Sequence, residues 1–202
     1  MFNFSFQNPT RIVFGKDQLQ QISKLIPPGS KVLLTYGGGS IKQNGVYQQV
    51  VQALDGFDWQ EFSGIEPNPS FETLMRAADL VRREKIDFLL PVGGGSVIDG
   101  TKFIAAAAVF AGDAWDILAK GAKVTSAIPL GCVLTLPATG TESNGNSVVT
   151  RYETQQKLVI RVDDKRRDFT LYGKQGYGNA RGIWQTIYLE ARGAQYVEKT
   201  QV

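Results

Sequence analysis

The tetrapeptide Gly-Gly-Gly-Ser occurs twice in this chain, at residues 37–40 and at residues 93–96. An apolar run precedes each copy, at residues 31–36 and 86–92, and a helical pattern follows it. This succession of strand, glycine loop and helix is typical of phosphate sites in α/β proteins, because glycine lets the backbone approach the anion and a helix N-terminus attracts negative charge. The two loops therefore indicate a nucleotide ligand.

Strand-like and helix-like patterns alternate along the first half of the chain. The predicted strands lie at residues 11–14, 31–36, 57–62 and 88–92, and the predicted helices at residues 17–25, 41–54, 70–85 and 97–108. Asp17 and Ser70 are the expected N-caps of the first and third helices. The order β-α-β-α-β-α-β-α and the continuous apolar run at 31–36 predict an α/β fold with a doubly wound, mostly parallel, Rossmann-like sheet. Ligands of such sheets lie at the carboxyl ends of the strands.

The pattern weakens toward the end of the chain. A short helix is expected at residues 113–118, a strand at 133–136, and a hairpin from residues 148–152 and 157–160. Beyond residue 160 glycines and charges separate the apolar residues, and only a helix at 183–192 is suggested. We therefore expect a dinucleotide-binding domain over residues 1–160 and a divergent, poorly packed tail over residues 161–202.

Net charge, the length of the apolar runs and the cysteine content indicate which kinds of partner this protein can have. The formal net charge of +3 is too small to favour nucleic acid. The longest uncharged apolar run, residues 103–112, is too short to span a bilayer, and the N-terminal residues lack a signal-peptide pattern. A single cysteine, Cys132, lies in an apolar run, which predicts a buried thiol and a reducing compartment. These features predict a cytoplasmic protein without a nucleic-acid or membrane partner.

Two common phosphate-binding motifs do not fit the glycine loops. A P-loop requires the order G-x-x-x-x-G-K-[ST], whereas Thr101 precedes Lys102 here. The dinucleotide fingerprint G-x-G-x-x-G is not met at residues 37–42, which end in lysine. Taken singly, either loop could be a plain tight turn.

Three segments in order carry a more specific resemblance. They are Glu-Pro-Asn-Pro at residues 66–69, the stretch 90–102 around the second glycine loop, and the stretch 134–144. Together they resemble the iron-containing alcohol dehydrogenases, and most closely the branch of NADP-dependent butanol dehydrogenases and aldehyde reductases. The match runs from about Arg11 to Lys157. The resemblance implies an N-terminal nucleotide-binding α/β domain, a C-terminal helical domain, and an active site in the cleft between them.

The resemblance also implies a set of cofactor contacts. Gly94, Gly95 and Ser96 would hold the pyrophosphate of NADP(H), while Asp99 and Lys157 would orient the nicotinamide side. No residue is a certain catalytic group. Together with the first glycine loop, the full set of predicted cofactor contacts is Gly37, Gly38, Gly39, Ser40, Asn68, Gly94, Gly95, Ser96, Asp99, Thr135, Asn144 and Lys157. Two plainer readings stay open: Asp99 as a carboxylate favoured by the helix dipole, and Lys157 as a solvated hairpin lysine.

The first glycine loop bears on which dinucleotide is bound. An NAD site commonly places a carboxylate on the ribose 2′-hydroxyl at the end of a nearby strand. Residues 37–40 contain no acid, and Ser40 and backbone N–H groups could donate to a 2′-phosphate. We therefore expect NADP(H) in preference to NAD(H).

The chain differs from the family in the residues that would bind the metal. Members bind a divalent metal, iron or zinc, through aspartate and histidines on the helical domain, but this chain contains no histidine. The family pattern G-x-x-D-x-x-x-H aligns weakly with residues 182–189, where Gln185 and Leu189 replace the ligands. We therefore expect no metal ligands, an essentially missing helical domain, and a truncated or frame-disrupted chain.

The resemblance thus implies an oxidoreductase that acts on a small alcohol or aldehyde with NADP(H), represented here by its cofactor-binding half. One alternative is a non-catalytic NADP(H)-binding module. Another is a different metal-dependent member of the superfamily, such as a glycerol dehydrogenase or a dehydroquinate synthase. The resemblance also suggests a homodimer formed near residues 11–14.

Overall fold

The computed structural model describes residues 10–161 and 187–190. The strands of this part of the chain are β1 (Arg11–Val13), β2 (Lys31–Thr35), β3 (Asp58–Phe62), β4 (Phe88–Gly94), β5 (Gly131–Leu136), β6 (Asn146–Arg151), β7 (Gln156–Arg161) and β8 (Ile187–Glu190). The helices are α1 (Ile22–Leu25), α2 (Val46–Ala53), α3 (Phe71–Glu84), α4 (Gly95–Ala107) and α5 (Trp115–Ala119). Short 3-10 turns cover Gln18–Gln21, Ser40–Lys42 and Thr141–Ser143.

Six of these strands form one sheet in the order β1-β8-β5-β4-β2-β3, and all of its strand pairs are parallel. From β2 the chain moves outward to β3, whereas from β4 it moves in the opposite direction to β5. The carboxyl ends of β2 and β4 therefore flank a topological switch point, where open α/β sheets bind their ligands. The predicted doubly wound parallel fold is confirmed, and the predicted hairpin is present as β6 and β7.

Helices cover both faces of this sheet. On one face Leu33 packs into a core with α3, α4 and α5, and on the other Val32 and Leu34 pack with α1 and α2. All three side chains are fully buried. A strand covered on both sides needs apolar residues at every position, which explains the continuous apolar run that predicted β2.

Side-chain capping and backbone conformation decide where the helices begin, and the apolar periodicity of the sequence predicts these positions only in part. Ser70 caps α3 as predicted, since its Oγ accepts a hydrogen bond from the Thr73 N–H at 3.2 Å. The expected cap at Asp17 is wrong, because this residue has φ 61° and makes no capping bond. The predicted helix over residues 41–54 is also too long: Gly45 has φ 81°, and α2 begins only at Val46.

The helix suggested at residues 183–192 is wrong over Ile187–Glu190. These residues form β8, which pairs with β1 on one side and with β5 on the other. Backbone groups that bond to two neighbouring strands outweigh a weak helical pattern. The rest of the expected tail lies outside the described residues, and the domain boundary near residue 160 stays a prediction.

Two further expectations concern surfaces. The described helices include none that is long and apolar enough to cross a membrane. Strand β1 is the outer strand of the sheet, and its Ile12 side chain is 57% exposed. A homodimer through this strand stays a prediction.

Candidate functional site

The second glycine loop is a direct passage from β4 into α4. Strand β4 includes Gly93 and Gly94, and the helix begins at Gly95 with no residue between. A Cβ at Gly93 would lie 2.7 Å from Val97 Cγ2, so only glycine allows the helix to start this close to its strand. Gly94, at the N-cap, offers no side chain to the N–H groups of the first turn, which have no partners within the helix. Such a terminus is suited to an anion.

A cleft of about 450 Å³ opens beside this first turn. Its walls are the first turn of α4, the loop at residues 68–69, the loop at 138–146 and the hairpin strand β7. This volume is in the usual range of small-molecule sites. Among the residues predicted to contact cofactor, those that line the cleft are Asn68, Gly95, Ser96, Asp99, Asn144 and Lys157.

The remaining predicted residues lie outside its lining. Gly94 directly precedes the lining residue Gly95, and Thr135 lies in β5. The other four, residues 37–40, follow β2 and lead into a 3-10 turn of three residues rather than into an α-helix. A Cβ at Gly37 would lie 3.6 Å from Val97 Cγ2, so this loop borders the start of α4 from the side of β2.

A buried ion pair lies beside the cleft, and its Asp99 is one of the residues that line the cleft. Lys102 Nζ lies 3.1 Å from Asp99 Oδ1, and the two side chains are only 11% and 15% exposed. The same ammonium donates to Thr141 Oγ1 and the Thr141 carbonyl, both at 2.9 Å, and to Asn144 Oδ1 at 3.2 Å. Lys102 therefore ties α4 to the loop that forms one wall of the cleft.

Burial and charge act against each other at this lysine. Burial lowers the pKa of Lys102, and the Asp99 carboxylate opposes this effect. Asp99 is itself held by further donors, since Thr141 Oγ1 donates to Oδ1 and the Val148 N–H donates to Oδ2 at 3.3 Å. Asp99 is thus more than a carboxylate near a helix dipole: it is the acceptor that joins α4 to β6.

A hydrogen bond between strand β7 and the loop at residues 68–69 joins two walls of the cleft. Lys157 Nζ on β7 donates to Asn68 Oδ1 at 2.5 Å, so the hairpin lysine is fixed across the cleft. Asn68 has φ 56°, a left-handed conformation that asparagine tolerates. The loop that carries it is held by Glu66, which accepts from Thr73 Oγ1 at 2.7 Å and from Ser70 Oγ at 3.2 Å.

Sequence reasoning missed Lys102 and Thr141 as parts of this cluster. Lys102 follows Asp99 by three residues, a spacing that places two side chains on the same helix face. That spacing was the available signal for the ion pair. The contact with Thr141 spans 39 residues of sequence and carries no local signal.

The residues present do not fit the divalent metal that the resemblance implies. The sequence contains no histidine. In the part of the chain that the structure describes, no group of three or more histidine, cysteine, aspartate or glutamate side chains converges. Cys132 is buried as predicted, and burial raises the pKa of its thiol, which disfavours the thiolate that a metal would need.

Comparisons with known proteins agree with this architecture. Residues 9–172 match the family model for iron-containing alcohol dehydrogenases. The NADPH-dependent aldehyde reductase YqhD of Escherichia coli is 58% identical over 163 residues, and a probable NADH-dependent butanol dehydrogenase 2 of Bacillus subtilis is 52% identical over 162 residues. Each alignment covers 79% of this chain and 42% of the relative, so the chain spans less than half the length of these relatives.

Solved structures of enzymes with these names have the same fold as this chain. The crystal structure of E. coli YqhD superposes with a TM-score of 0.79 at 47% identity, covering 93% of this chain and 45% of that one. The NADH-dependent butanol dehydrogenase A of Thermotoga maritima gives a TM-score of 0.80 at 38% identity, with 93% and 44% covered. The chain belongs to the iron-containing alcohol dehydrogenase family.

Replacing Lys102 tests the buried ion pair. We expect Lys102→Met to lower the free energy of unfolding by about 3 kcal/mol, because it leaves the Asp99 carboxylate without its cation. Lys120→Met is the matched control: it breaks the ion pair with Asp116, in which the Lys120 side chain is exposed, and should cost less than about 1 kcal/mol. Urea unfolding of the full chain measures both values. Equal losses in the two variants would contradict this account.

Glu66 makes the loop at residues 66–70 sensitive to acid. Burial opposes ionisation of Glu66, but hydrogen bonds from Thr73 and Ser70 outweigh it and lower the pKa of the carboxyl below its ordinary value of 4.5. The stabilisation is therefore complete above pH 4.5 and is lost as the pH falls through the lower folded-state value. We expect Glu66→Gln to be less stable than the parent at pH 7, with a difference that shrinks toward pH 3.

The measurement is the urea midpoint of both proteins across this pH range. Glu72→Gln, which removes an exposed carboxylate from the first turn of α3, is the control for loss of negative charge at the same helix terminus. A Glu66→Gln difference that stays constant from neutral to acidic pH would exclude the proposed role of the ionised carboxylate.

Proposed function

We propose that this chain binds NADP(H) in the cleft beside α4 and represents the cofactor-binding part of an oxidoreductase. The reaction of the whole enzyme would transfer a hydride between NADP(H) and a small alcohol or aldehyde. The observation that carries the proposal is the uncapped first turn of α4, which opens into a cleft that Asp99 and Lys157 also line. The N-terminus of α4 is suited to bind the pyrophosphate group of a dinucleotide.

The positions of six predicted contacts in the lining of the cleft support this proposal. Gly95 and Ser96 present backbone N–H groups to the pyrophosphate, with Gly94 as the preceding turn. Asp99 and Lys157 both line the cleft and would orient the nicotinamide side. Asn68 and Asn144 are each held by a lysine, at 2.5 Å and 3.2 Å, and would line the ribose path. Thr135 in β5 is the remaining proposed contact on this path.

The preference for NADP(H) rests on the loop after β2. Strand β2 is the direct neighbour of β4, so its carboxyl end lies where a dinucleotide fold reads the ribose 2′ position. Gly37, Gly38, Gly39 and Ser40 offer no carboxylate there. The relatives include enzymes named for NADPH and enzymes named for NADH, so this loop rather than family membership supports the preference.

A non-catalytic NADP(H)-binding module is the second candidate, and the donor set favours it for this chain. Metal-assisted alcohol oxidation needs a Lewis acid at the alkoxide oxygen. The sequence contains no histidine, and the described residues include no converging group of donors for the metal that the family name implies. This chain could therefore bind NADP(H) without catalysing hydride transfer.

Gly38→Asp tests the cofactor preference. A Cβ at Gly38 would meet no atom within 4 Å, so the substitution adds a carboxylate without a clash. We expect NADPH affinity to fall at least tenfold through repulsion of the 2′-phosphate, with NADH affinity changed less than twofold. Fluorescence titration with both nucleotides gives the two dissociation constants. Gly38→Asn is the isosteric neutral control, and equal weakening by both variants would attribute the effect to shape rather than charge.

Turnover separates the two candidate functions. We expect the purified chain to bind NADPH but not to oxidise it with butyraldehyde, with or without added Fe²⁺ or Zn²⁺, because the chain has no histidine and its described residues include no converging group of metal donors. The absorbance of NADPH measures the reaction, and E. coli YqhD serves as the positive control for the assay. Metal-dependent turnover by this chain would show that its aspartates and glutamates form a site and would overturn the expectation.

A further inference from the structure

A lysine and a glutamate meet beside the first glycine loop. Lys42 ends the 3-10 turn that follows Gly39, and its N–H donates to the Gly39 carbonyl at 2.9 Å. Glu61 lies near the end of β3, the strand that pairs with β2. Lys42 Nζ is 3.4 Å from Glu61 Oε1, and the two side chains are 43% and 39% exposed. A cation from the turn after β2 and a carboxylate from β3 thus lie together, next to the loop that is proposed to contact the ribose 2′ position.

Two tyrosines fix this pair. Lys42 Nζ lies 4.5 Å from the ring centroid of Tyr47 and 5.1 Å from that of Tyr36, distances at which a cation is attracted to an aromatic face. The Tyr47 hydroxyl donates to Glu61 Oε2 at 2.8 Å. Partial burial opposes ionisation of Glu61, but hydrogen bonds from Tyr47 and Lys42 outweigh it and lower the pKa of the carboxyl. Glu61 is therefore negatively charged at neutral pH.

We propose that Glu61 sets how strongly this chain prefers NADPH over NADH, by competing with the 2′-phosphate for the ammonium of Lys42. The inference rests on the proposed function, in which the 2′-phosphate lies at the loop of residues 37–40. Lys42 attracts that phosphate, while Glu61 neutralises the ammonium and repels the phosphate. NADH lacks the phosphate and experiences neither effect. Glu61 is thus a specificity-determining residue, and it moderates a preference that the glycine loop and Lys42 would otherwise make stronger.

The experiment is a pair of titrations on the full chain. Dissociation constants for NADPH and NADH are measured by fluorescence for the parent, Glu61→Gln and Lys42→Met. Glu61→Gln is expected to tighten NADPH three- to tenfold and to change NADH less than twofold. Lys42→Met is expected to weaken NADPH at least threefold with the same small effect on NADH. Because salt screens exposed charges, the gain from Glu61→Gln should shrink as ionic strength rises.

Asp58→Asn is the matched control. Asp58 is an exposed carboxylate at the other end of the same strand and pairs with Lys31 at 3.5 Å. Its removal changes the net charge of the protein by the same amount, far from the loop, and should leave both dissociation constants unchanged within twofold. Titration with adenosine 2′,5′-bisphosphate and with AMP isolates the adenosine end and should reproduce the changes seen with the whole dinucleotides.

Each outcome decides between the claims. If Glu61→Gln changes NADPH and NADH equally, or if Asp58→Asn has the same effect, Glu61 does not set specificity and only this inference is overturned. If the parent binds NADPH and neither variant alters the NADPH-to-NADH ratio, the inference is again wrong while the proposed function stands. If the parent binds neither nucleotide, the proposed function and this inference are both wrong.

Discussion

The passage from β4 into α4 without an intervening loop is the constraint on which the rest of this site depends. It is allowed by Gly93, where a Cβ would collide with Val97, and it presents an uncapped helix terminus at the carboxyl edge of a parallel sheet. Buried hydroxyls fix the helix further, since Thr35 Oγ1 on β2 lies 2.6 Å from Thr101 Oγ1 on α4. Strands β2 and β4, which flank the switch point, and the helix α4 that follows β4 are therefore directly joined and form the platform of the site.

The walls of the cleft are joined to this platform, and to each other, by charged groups and not by apolar contacts alone. Lys102 and Asp99 reach from α4 to the loop at residues 138–146 and to β6, and Lys157 reaches from β7 to Asn68. Each contact joins segments far apart in sequence, so the cleft forms only when the sheet, the loop and the hairpin are all in place. A partly buried polar network of this kind is costly when broken, which favours one arrangement of the walls.

How much could be predicted from the sequence depends on whether the signal was local. The apolar run around Val32–Leu34 and the glycines before α4 are local signals, and they predicted the correct sheet type and the correct position of the turn between β4 and α4. Asp17 was misjudged because the backbone there is left-handed, a choice that side-chain type alone does not set. Strand β8 and the Lys102–Thr141 contact were missed because both depend on neighbours brought close by the fold. The resemblance supplied Asp99 and Lys157, and the structure adds the groups that hold them.

Hydrogen exchange of the chain with and without NADP⁺ tests the central claim most directly, because it reports where the cofactor contacts the backbone without requiring turnover. The account predicts slower exchange at residues 94–99 and 138–146, with a smaller effect at residues 37–42. Helix α3, Phe71–Glu84, which is capped by its own Ser70, should be unchanged. Unchanged exchange at the first turn of α4 under saturating NADP⁺ would contradict the account, because the proposed pyrophosphate contacts are in that turn.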